Sequence, residues 1–267
     1  MLRDITIGQY YSADSVIHSL DPRVKLFGVL LFIISLFTFG NIFSYCLATI
    51  ILIVVITVSK IPFKYVIRGL KPLLILLLFT TVLNLFTTKG EVLIHIWKLS
   101  ITKEGIFLAV HIFVRLMYLI IASSLLTLTT TPTRLTDAME KVMRPLNKIN
   151  VPVHEVAMMM SIALRFIPIL VDETDKIMKA QSARCMDFEH GNVIKRLKNL
   201  VPLLIPLFIS AIRRANDLAL AMEARCYQGG EGRTKMRELK YVKTDYIAYG
   251  FICMYFAVSF GLNFIQI

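Results

Sequence analysis

The sequence predicts an all-α integral membrane protein with about five transmembrane helices and three cytoplasmic amphipathic helices. The 267-residue chain is 56% hydrophobic and has a mean hydropathy of +0.67, well above that of a soluble domain. Several apolar runs are long enough to cross a bilayer. Its 30 basic residues outnumber its 18 acidic ones and cluster beside those runs, as at the cytoplasmic edge of a membrane. We therefore expect the lipid bilayer, and not nucleic acid, to account for the net charge of +12.

Five apolar segments fit transmembrane helices. The first two are separated only by Gly40 and Asn41, a turn-forming pair, so they should form a helical hairpin. The third is long enough to span only if it begins inside the basic stretch that precedes it. The predicted spans are 24–39, 42–58, 66–86, 106–128 and 246–264.

The charges of the connecting segments orient these spans. Segment 60–71 carries four basic and no acidic residues, whereas segment 87–104 carries three basic and two acidic ones. Because cytoplasmic loops are rich in Lys and Arg, we expect a multi-pass cell-membrane protein with a cytoplasmic N-terminus. The start of the chain lacks the pattern of a signal peptide, so the first span should insert directly. The predicted domains are a membrane domain of four spans at 1–129, a cytoplasmic coupling domain at 130–244 and a C-terminal transmembrane helix at 245–267.

The cytoplasmic domain begins with a predicted amphipathic helix. Thr131 can cap this helix, and Pro132 suits its first turn. Apolar residues recur at spacings of three and four with charged residues between them, which favours a helix at the membrane interface. The apolar positions are Leu135, Met139, Val142, Leu146 and Ile149.

Two longer helical segments, 152–185 and 193–226, share one plan. Each has an apolar, proline-containing first half, a charged second half and a final Ala-Arg-Cys, so together they form a weak internal repeat. Pro168 should kink the first segment. The apolar run of the second has only twelve residues, too few to cross a bilayer core of about 30 Å. We expect both to be half-embedded, with their charged halves in the cytosol.

The repeated Ala-Arg-Cys is the candidate functional site. We call residues 183–185 the first tip and residues 224–226 the second tip. A cation in the last turn of a helix interacts favourably with the helix dipole, by less than about 1 kcal/mol at an exposed position, and lysine would do so equally well. Small neighbours, however, let a guanidinium enter a groove and bind a carboxylate through two hydrogen bonds. The repetition therefore favours two tips that bind protein partners, and the site residues are Ala183, Arg184, Cys185, Ala224, Arg225 and Cys226.

Six motifs along the chain resemble one family of membrane proteins. They are LDPRVKL at 20–26, TTTPTRL at 129–135, ALRFIPIL at 163–170, AQSARCMD at 180–187, PLLIPLF at 202–208 and RRANDLALAMEARCYQGG at 213–230. Together they resemble the transmembrane (T) component of energy-coupling factor transporters. The resemblance implies a non-catalytic subunit without a cofactor. It would couple ATP hydrolysis by two bound ATP-binding-cassette ATPases to a separate substrate-binding membrane (S) component that takes up vitamins or other micronutrients.

The resemblance also assigns the tips. It implies that Arg184 and Arg225 dock in grooves of the two ATPases. The chain departs from the family at the third position of each tip, where cysteine replaces the usual glycine. Because cysteine does not easily adopt positive φ, we expect the helices to stop further on, at Gly191 and Gly229.

Two other classes of function, a transferase and a carrier, are the alternatives to a transporter subunit. Asp172 and Asp175 lie three residues apart and could serve a metal-dependent integral-membrane transferase. Lys176 and Lys179 follow directly and no second acidic motif accompanies the two carboxylates, so a solvated, salt-bridged helix face is the favoured interpretation. A self-sufficient carrier should show paired halves with broken helices, which this sequence lacks. No nucleotide-binding motif occurs, so ATP-driven work would need a partner's ATPase.

Other polar residues have open roles in the sequence. His111 and Arg115 lie four residues apart inside the fourth predicted span, where a gating or substrate role competes with a structural one, either pairing to a polar group of the bundle or snorkelling outward. The pair Arg213 and Arg214 is typical of anchors for lipid headgroups. The four cysteines lack the spacing of a metal site, so neither a metal nor a disulfide is expected.

Overall fold

The computed structural model describes residues 10–38, 40–96, 99–184, 186, 193–229 and 238–264. An antiparallel hairpin of two short strands lies between α4 and α5, and a 3-10 helix, Arg144–Ile149, follows α6. The all-α fold class is therefore confirmed, with this hairpin as an addition. The elements are α1 (Val16–Ser19), α2 (Pro22–Thr38), α3 (Ile42–Ser59), α4 (Phe63–Thr87), β1 (Val92–Ile96), β2 (Leu99–Thr102), α5 (Lys103–Thr129), α6 (Pro132–Met143), α7 (Val153–Ser182), α8 (Val193–Glu223) and α9 (Lys243–Phe264).

The described residues divide into two compact units. The bundle unit consists of residues 8–135 and 239–267, and the helix-pair unit consists of residues 136–238. All the helices of the five predicted spans, namely α2, α3, α4, α5 and α9, belong to the bundle unit. The helix-pair unit contains α7 and α8, the two long segments of the internal repeat.

The lengths of the helices suit a membrane. α3, α5 and α9 are each long and apolar enough to cross it. α4 also qualifies if its two halves form one span, and they meet at an angle of 60° where Pro72 removes a backbone hydrogen bond. With 17 residues, α2 lies at the lower limit of a spanning helix. By the same criteria α7 qualifies as well, although the sequence predicted a half-embedded helix there.

The core of the bundle unit is apolar and close-packed. Buried residues from α2, α3, α5 and α9 form one cluster, which includes Leu36, Ala48, Ala122 and Tyr255. α4 and α5 approach closely at Gly69, because a Cβ atom there would lie 2.8 Å from the Oγ atom of Ser124. Small residues at such contacts allow transmembrane helices to pack backbone against backbone.

The helix predicted after Thr131 begins as expected, but its α-helical part ends at Met143 and a 3-10 helix continues to Ile149. Pro132 is its first residue, the Leu135 N–H donates to the Thr131 carbonyl at 3.0 Å, and the Arg134 N–H donates to the Thr131 Oγ1 atom at 3.4 Å. The predicted cap is therefore confirmed. Four residues of the predicted apolar face are exposed, namely Met139, Val142, Leu146 and Ile149. This face is free to contact lipid or a partner.

Candidate partner-docking site

The second tip closes the end of α8 through its backbone. The Tyr227 N–H donates to the Met222 carbonyl at 3.1 Å, and the Cys226 N–H donates to the Glu223 carbonyl at 2.8 Å. These two bonds define a Schellman motif, in which the residue after the C-cap adopts a left-handed conformation. Cys226 occupies that position with φ of 54°, so Arg225 is the C-cap residue.

The first tip repeats this pattern as far as the structure describes it. The Met186 N–H donates to the Gln181 carbonyl at 3.1 Å, as Tyr227 does to Met222 in the second tip. The Arg184 N–H donates to the same carbonyl at 3.0 Å, just as the Arg225 N–H donates to Met222 at 3.1 Å. α7 and α8 also end at equivalent positions of the repeat, Ser182 and Glu223. By these hydrogen bonds, Arg184 occupies the position at the end of α7 that Arg225 occupies at the end of α8.

The expectation about the cysteines is wrong for the second tip. α8 ends at Glu223 and Cys226 itself adopts positive φ, whereas we expected the stop at Gly229. The two closing hydrogen bonds offset the cost of this conformation, which is about 1–2 kcal/mol for a residue with a Cβ atom. Gly229 also has positive φ, at 97°, but it follows the closure and does not form it. Cys185 and Gly191 lie outside the described residues.

Both arginines present their side chains to solvent. Ala183, Arg184, Ala224, Arg225 and Cys226 are all exposed. No ion pair joins either guanidinium to another residue that the structure describes. Terminal carbonyls of both helices, among them those of Gln181, Met222 and Glu223, already accept backbone N–H groups. The helix ends are thus closed without the arginine side chains, which weakens the interpretation that these arginines serve as caps.

The contacts between α7 and α8 place the tips far apart. Near the end of α7, the Gln181 amide donates to the Pro202 carbonyl at 3.4 Å, near the start of α8. Glu173, which lies earlier in α7, contacts Arg214, which lies later in α8. The helices therefore run antiparallel where they touch. At 1.5 Å per residue, the 23 residues from Pro202 to Arg225 put the second tip roughly 30 Å from the first.

The intramembrane arginine has partners inside the bundle unit. The Arg115 Nε atom donates to the Tyr45 hydroxyl at 3.1 Å, and its Nη2 atom lies 3.1 Å from His111 Nε2. The Tyr45 hydroxyl lies 3.0 Å from the same His111 nitrogen. Because an arginine only donates, His111 Nε2 is an acceptor and the ring carries its proton on Nδ1. Of the two alternatives for Arg115, the structure shows pairing with polar groups of the bundle.

The motif LDPRVKL ties together three helix ends of the bundle unit. Arg23 binds both carboxylate oxygens of Asp21, at 3.0 and 2.8 Å, and also donates to the Leu239 carbonyl at 3.1 Å. The Asp21 N–H donates to Asp245 in α9 at 2.9 Å. The Lys25 ammonium donates to the Thr129 carbonyl at the end of α5, at 2.9 Å. Asp245 is 2% exposed. Sequence reasoning missed it, because its partner lies 224 residues away.

Comparison with known proteins identifies the family. Residues 13–236 match the model of the CbiQ family, described as cobalt transport proteins. The energy-coupling factor transporter transmembrane protein EcfT of Clostridium kluyveri is 55% identical over 250 residues, which cover 93% of each chain. EcfT of Bacillus subtilis is 48% identical over 246 residues, with 92% of this chain and 93% of the relative covered. The chain belongs to the EcfT family. As a member, it is the transmembrane component of an energy-coupling factor transporter.

Membership of the EcfT family favours the transporter interpretation over the transferase. Asp172, one of the two carboxylates on which the transferase depended, is exposed, and Asp175 is half-buried. Among the residues that the structure describes, no group of three or more His, Cys, Asp or Glu side chains could hold a metal ion. Glu173, between those carboxylates, instead pairs with Arg214 of α8 at 2.9 Å.

Proposed function

We propose that this EcfT-family chain is the energy transducer of its transporter, and that two ATP-binding-cassette ATPases bind its two tips. Arg184 and Arg225 are the docking side chains, with Ala183, Cys185, Ala224 and Cys226 as the small neighbours that let each guanidinium enter a groove. The chain itself is non-catalytic, and ATP hydrolysis belongs to the partners. The cytoplasmic coupling domain at 130–244 carries both tips, between the membrane domain at 1–129 and the last helix at 245–267.

The observation that carries this proposal is the equivalence of the two tips. Each arginine is exposed and lies at the equivalent position of the repeat, at a helix end where backbone N–H groups bond back to the last turn. A docked guanidinium would bind a groove carboxylate through two parallel hydrogen bonds. The backbone closure supports this role, since it fixes the direction of the tip without using the side chain. The separation of roughly 30 Å suits one ATPase on each tip, and not both tips in one groove.

Two tips on one scaffold also explain how the complex would stay assembled. When one tip is bound, the other is held close to its own groove if the two ATPases associate. Its effective concentration is then high. Loss of one arginine should therefore weaken coupling before it releases the ATPases. Loss of both should release them.

The apolar first half of α8 supports contact with a separate S component. Leu204, Ile205, Phe208 and Ile212 are each at least half exposed, between 50% and 69%. The run is too short to cross a bilayer by itself, so lipid and a second membrane protein are its natural covers. We assign the S component to this surface and, from the family resemblance, uptake of vitamins or other micronutrients to the complex. The N-terminus is then cytoplasmic, on the side where ATP is available.

Orientation can be tested with an impermeant thiol reagent. In a variant without native cysteines, Lys89→Cys should react from outside the cell, and Lys240→Cys should not, because segment 60–71 marks the cytoplasmic side. Both positions are exposed, so access to the reagent depends on sidedness. The reverse labelling pattern would overturn the orientation.

Purification from native membranes tests the docking proposal. We expect the tagged wild-type chain to recover two ATPase subunits and an S component, and the double variant Arg184→Ala/Arg225→Ala to lose the ATPases. Arg213→Ala is the matched control, because Arg213 is an exposed arginine of α8 away from the tip. If the double variant keeps both ATPases and transports normally, the docking role is excluded.

A further inference from the structure

The contact between Glu173 and Arg214 joins equivalent positions of the internal repeat. The second tip lies 41 residues after the first, and Arg214 lies 41 residues after Glu173. The Arg214 Nη2 atom is 2.9 Å from the Glu173 Oε2 atom. The ion pair therefore lies at the same position of both repeat segments, equally far along the chain from each tip.

We call the stretch of each helix from this contact to its tip arginine an arm, and the two arms are equal in length. Glu173 precedes Arg184 by eleven residues, and Arg214 precedes Arg225 by eleven residues. At 1.5 Å per helical residue, each arm is about 16 Å long. The two arms run in opposite directions from the contact, because the helices are antiparallel where they touch.

The opposite charges at the contact also suit a pair that holds α7 and α8 together where they cross. Identical charged residues at the two equivalent positions would repel, whereas a glutamate opposite an arginine attracts. The side chains are largely shielded, with 25% of Glu173 and 37% of Arg214 exposed. The buried Arg214 Nε atom has no hydrogen-bond partner among the described residues. The guanidinium can therefore add a second bond to the carboxylate, so the pair can persist while the crossing angle changes.

A second polar contact joins α7 to α8 at a backbone carbonyl that a proline leaves without its usual partner. Pro206 has no N–H group, so the Pro202 carbonyl four residues earlier lacks its usual partner inside the helix. The Gln181 side chain supplies that partner at 3.4 Å. This bond lies near the first tip, away from the Glu173–Arg214 contact. Among the described residues, Glu173 and Arg214 therefore form the ion pair between α7 and α8.

We propose that Glu173 and Arg214 form the pivot of the coupling helices, a positioning pair that transmits movement between the two tips without touching an ATPase. This inference rests on the proposed function for what moves the tips. The pair fixes the point about which α7 and α8 turn, so a displacement of one arm produces a comparable displacement of the other. Without the pair, each tip would still bind its ATPase but the two movements would no longer be linked.

Charge reversal and exchange test the pivot. We expect Glu173→Arg and Arg214→Glu each to retain the ATPases on purification but to lower substrate uptake roughly tenfold, within the range of coupling between contacting residues. The exchanged double variant, Glu173→Arg/Arg214→Glu, should recover most of the uptake. The matched controls are Asp172→Arg and Arg213→Glu, which make the same charge changes at exposed neighbouring positions and should transport normally.

The results separate failure of the pivot from failure of the proposed function. If the wild-type chain recovers no ATPase, the proposed function fails. If the ATPases are retained but the reversals transport like their controls, or the exchange restores nothing, the pivot is excluded.

A distance measurement in the purified full-length chain tests the pivot without any partner. In a variant without native cysteines, spin labels at Ser182→Cys and Glu223→Cys, both exposed positions, should give one narrow distribution of distances between the labels when Glu173 and Arg214 are unchanged. Each charge reversal should broaden that distribution and the exchange should narrow it again. Unchanged distributions in the reversed variants would exclude the pivot.

Discussion

Arg23 in the bundle unit and Arg225 in the helix-pair unit show how differently the two units treat a guanidinium. The Arg23 side chain is 13% exposed, binds Asp21 through both oxygens and lies 4.0 Å from the centre of the Tyr241 ring. Arg225 is exposed and forms no ion pair with a described residue. The bundle unit thus pairs this guanidinium with its own residues, as a charge beside lipid requires. The helix-pair unit leaves its terminal charges available to partners.

The largest expected effect lies at the polar contacts of the bundle unit. Asp245 accepts the N–H groups of Asp21 and Val242, at 2.9 and 2.8 Å. Asp245→Ala leaves the buried Asp21 N–H without its acceptor, at about 1–3 kcal/mol, and also removes the acceptor of the more exposed Val242 N–H. We expect a clear fall in the melting temperature of the purified protein. Asp217→Ala, an exposed carboxylate of α8, is the control. Equal melting temperatures for the two variants would contradict the claim that the hydrogen bonds of Asp245 stabilise the bundle unit.

The second effect lies at the tips and appears in transport rather than in stability. If Arg184 and Arg225 dock as proposed, replacing either with alanine leaves a groove carboxylate unpaired, at a cost of about 2–5 kcal/mol to docking. Lysine keeps the charge but loses the two parallel hydrogen bonds, so its uptake should fall between those of wild type and alanine. Uptake should decrease more than ATPase recovery in each single variant, because the other tip remains bound. If lysine behaves like the wild type at both positions, the tips act through charge alone.

A smaller effect is expected at the cysteine of the second tip. Cys226 holds φ of 54° at the closure of α8. Cys226→Gly removes that cost, so we expect a gain of about 0.5–1 kcal/mol in stability with docking retained. Cys226→Val should have the opposite sign, because a β-branched side chain tolerates this conformation poorly. Lys60→Gly is the matched change in the bundle unit, at φ of 55° after α3. Thermal unfolding of the three variants checks the order.

The smallest effect concerns the carboxylates of the transferase interpretation. Asp172→Asn with Asp175→Asn should leave uptake by the assembled complex within about twofold of wild type, as is usual for surface changes away from a contact. Total loss of uptake with normal assembly would reopen the metal-dependent interpretation. Glu173 is adjacent to Asp172, but its replacement should lower uptake because it contacts Arg214. The two experiments together therefore test whether position within one helix turn decides the effect.

The sequence predicted what depends on local pattern. Hydrophobic runs located the five helices of the bundle unit, and the cap at Thr131 followed from its residue type. The repeat located both tips, because the same three residues stand at both helix ends.

Pairings between distant residues could not be predicted from the sequence. Glu173 lies between Asp172 and Asp175 on the helix face that the sequence predicted to be solvated, yet α8 brings Arg214 to it. Asp245 gave no signal in the sequence, because only the fold joins it to Asp21. The conformation of Cys226 also required the structure, since its residue type argued against positive φ. Backbone hydrogen bonds at the end of α8 decided that conformation, and residue type did not.

The thiol of Cys226 gives the most direct test that the tips are docking points. In a variant with Cys46, Cys185 and Cys253 replaced by serine, the exposed Cys226 side chain should react quickly with a maleimide in the purified chain. In the complex with its ATPases it should be protected, and Arg225→Ala should restore the fast reaction at that tip. Equal reaction rates with and without the ATPases would contradict docking at the second tip.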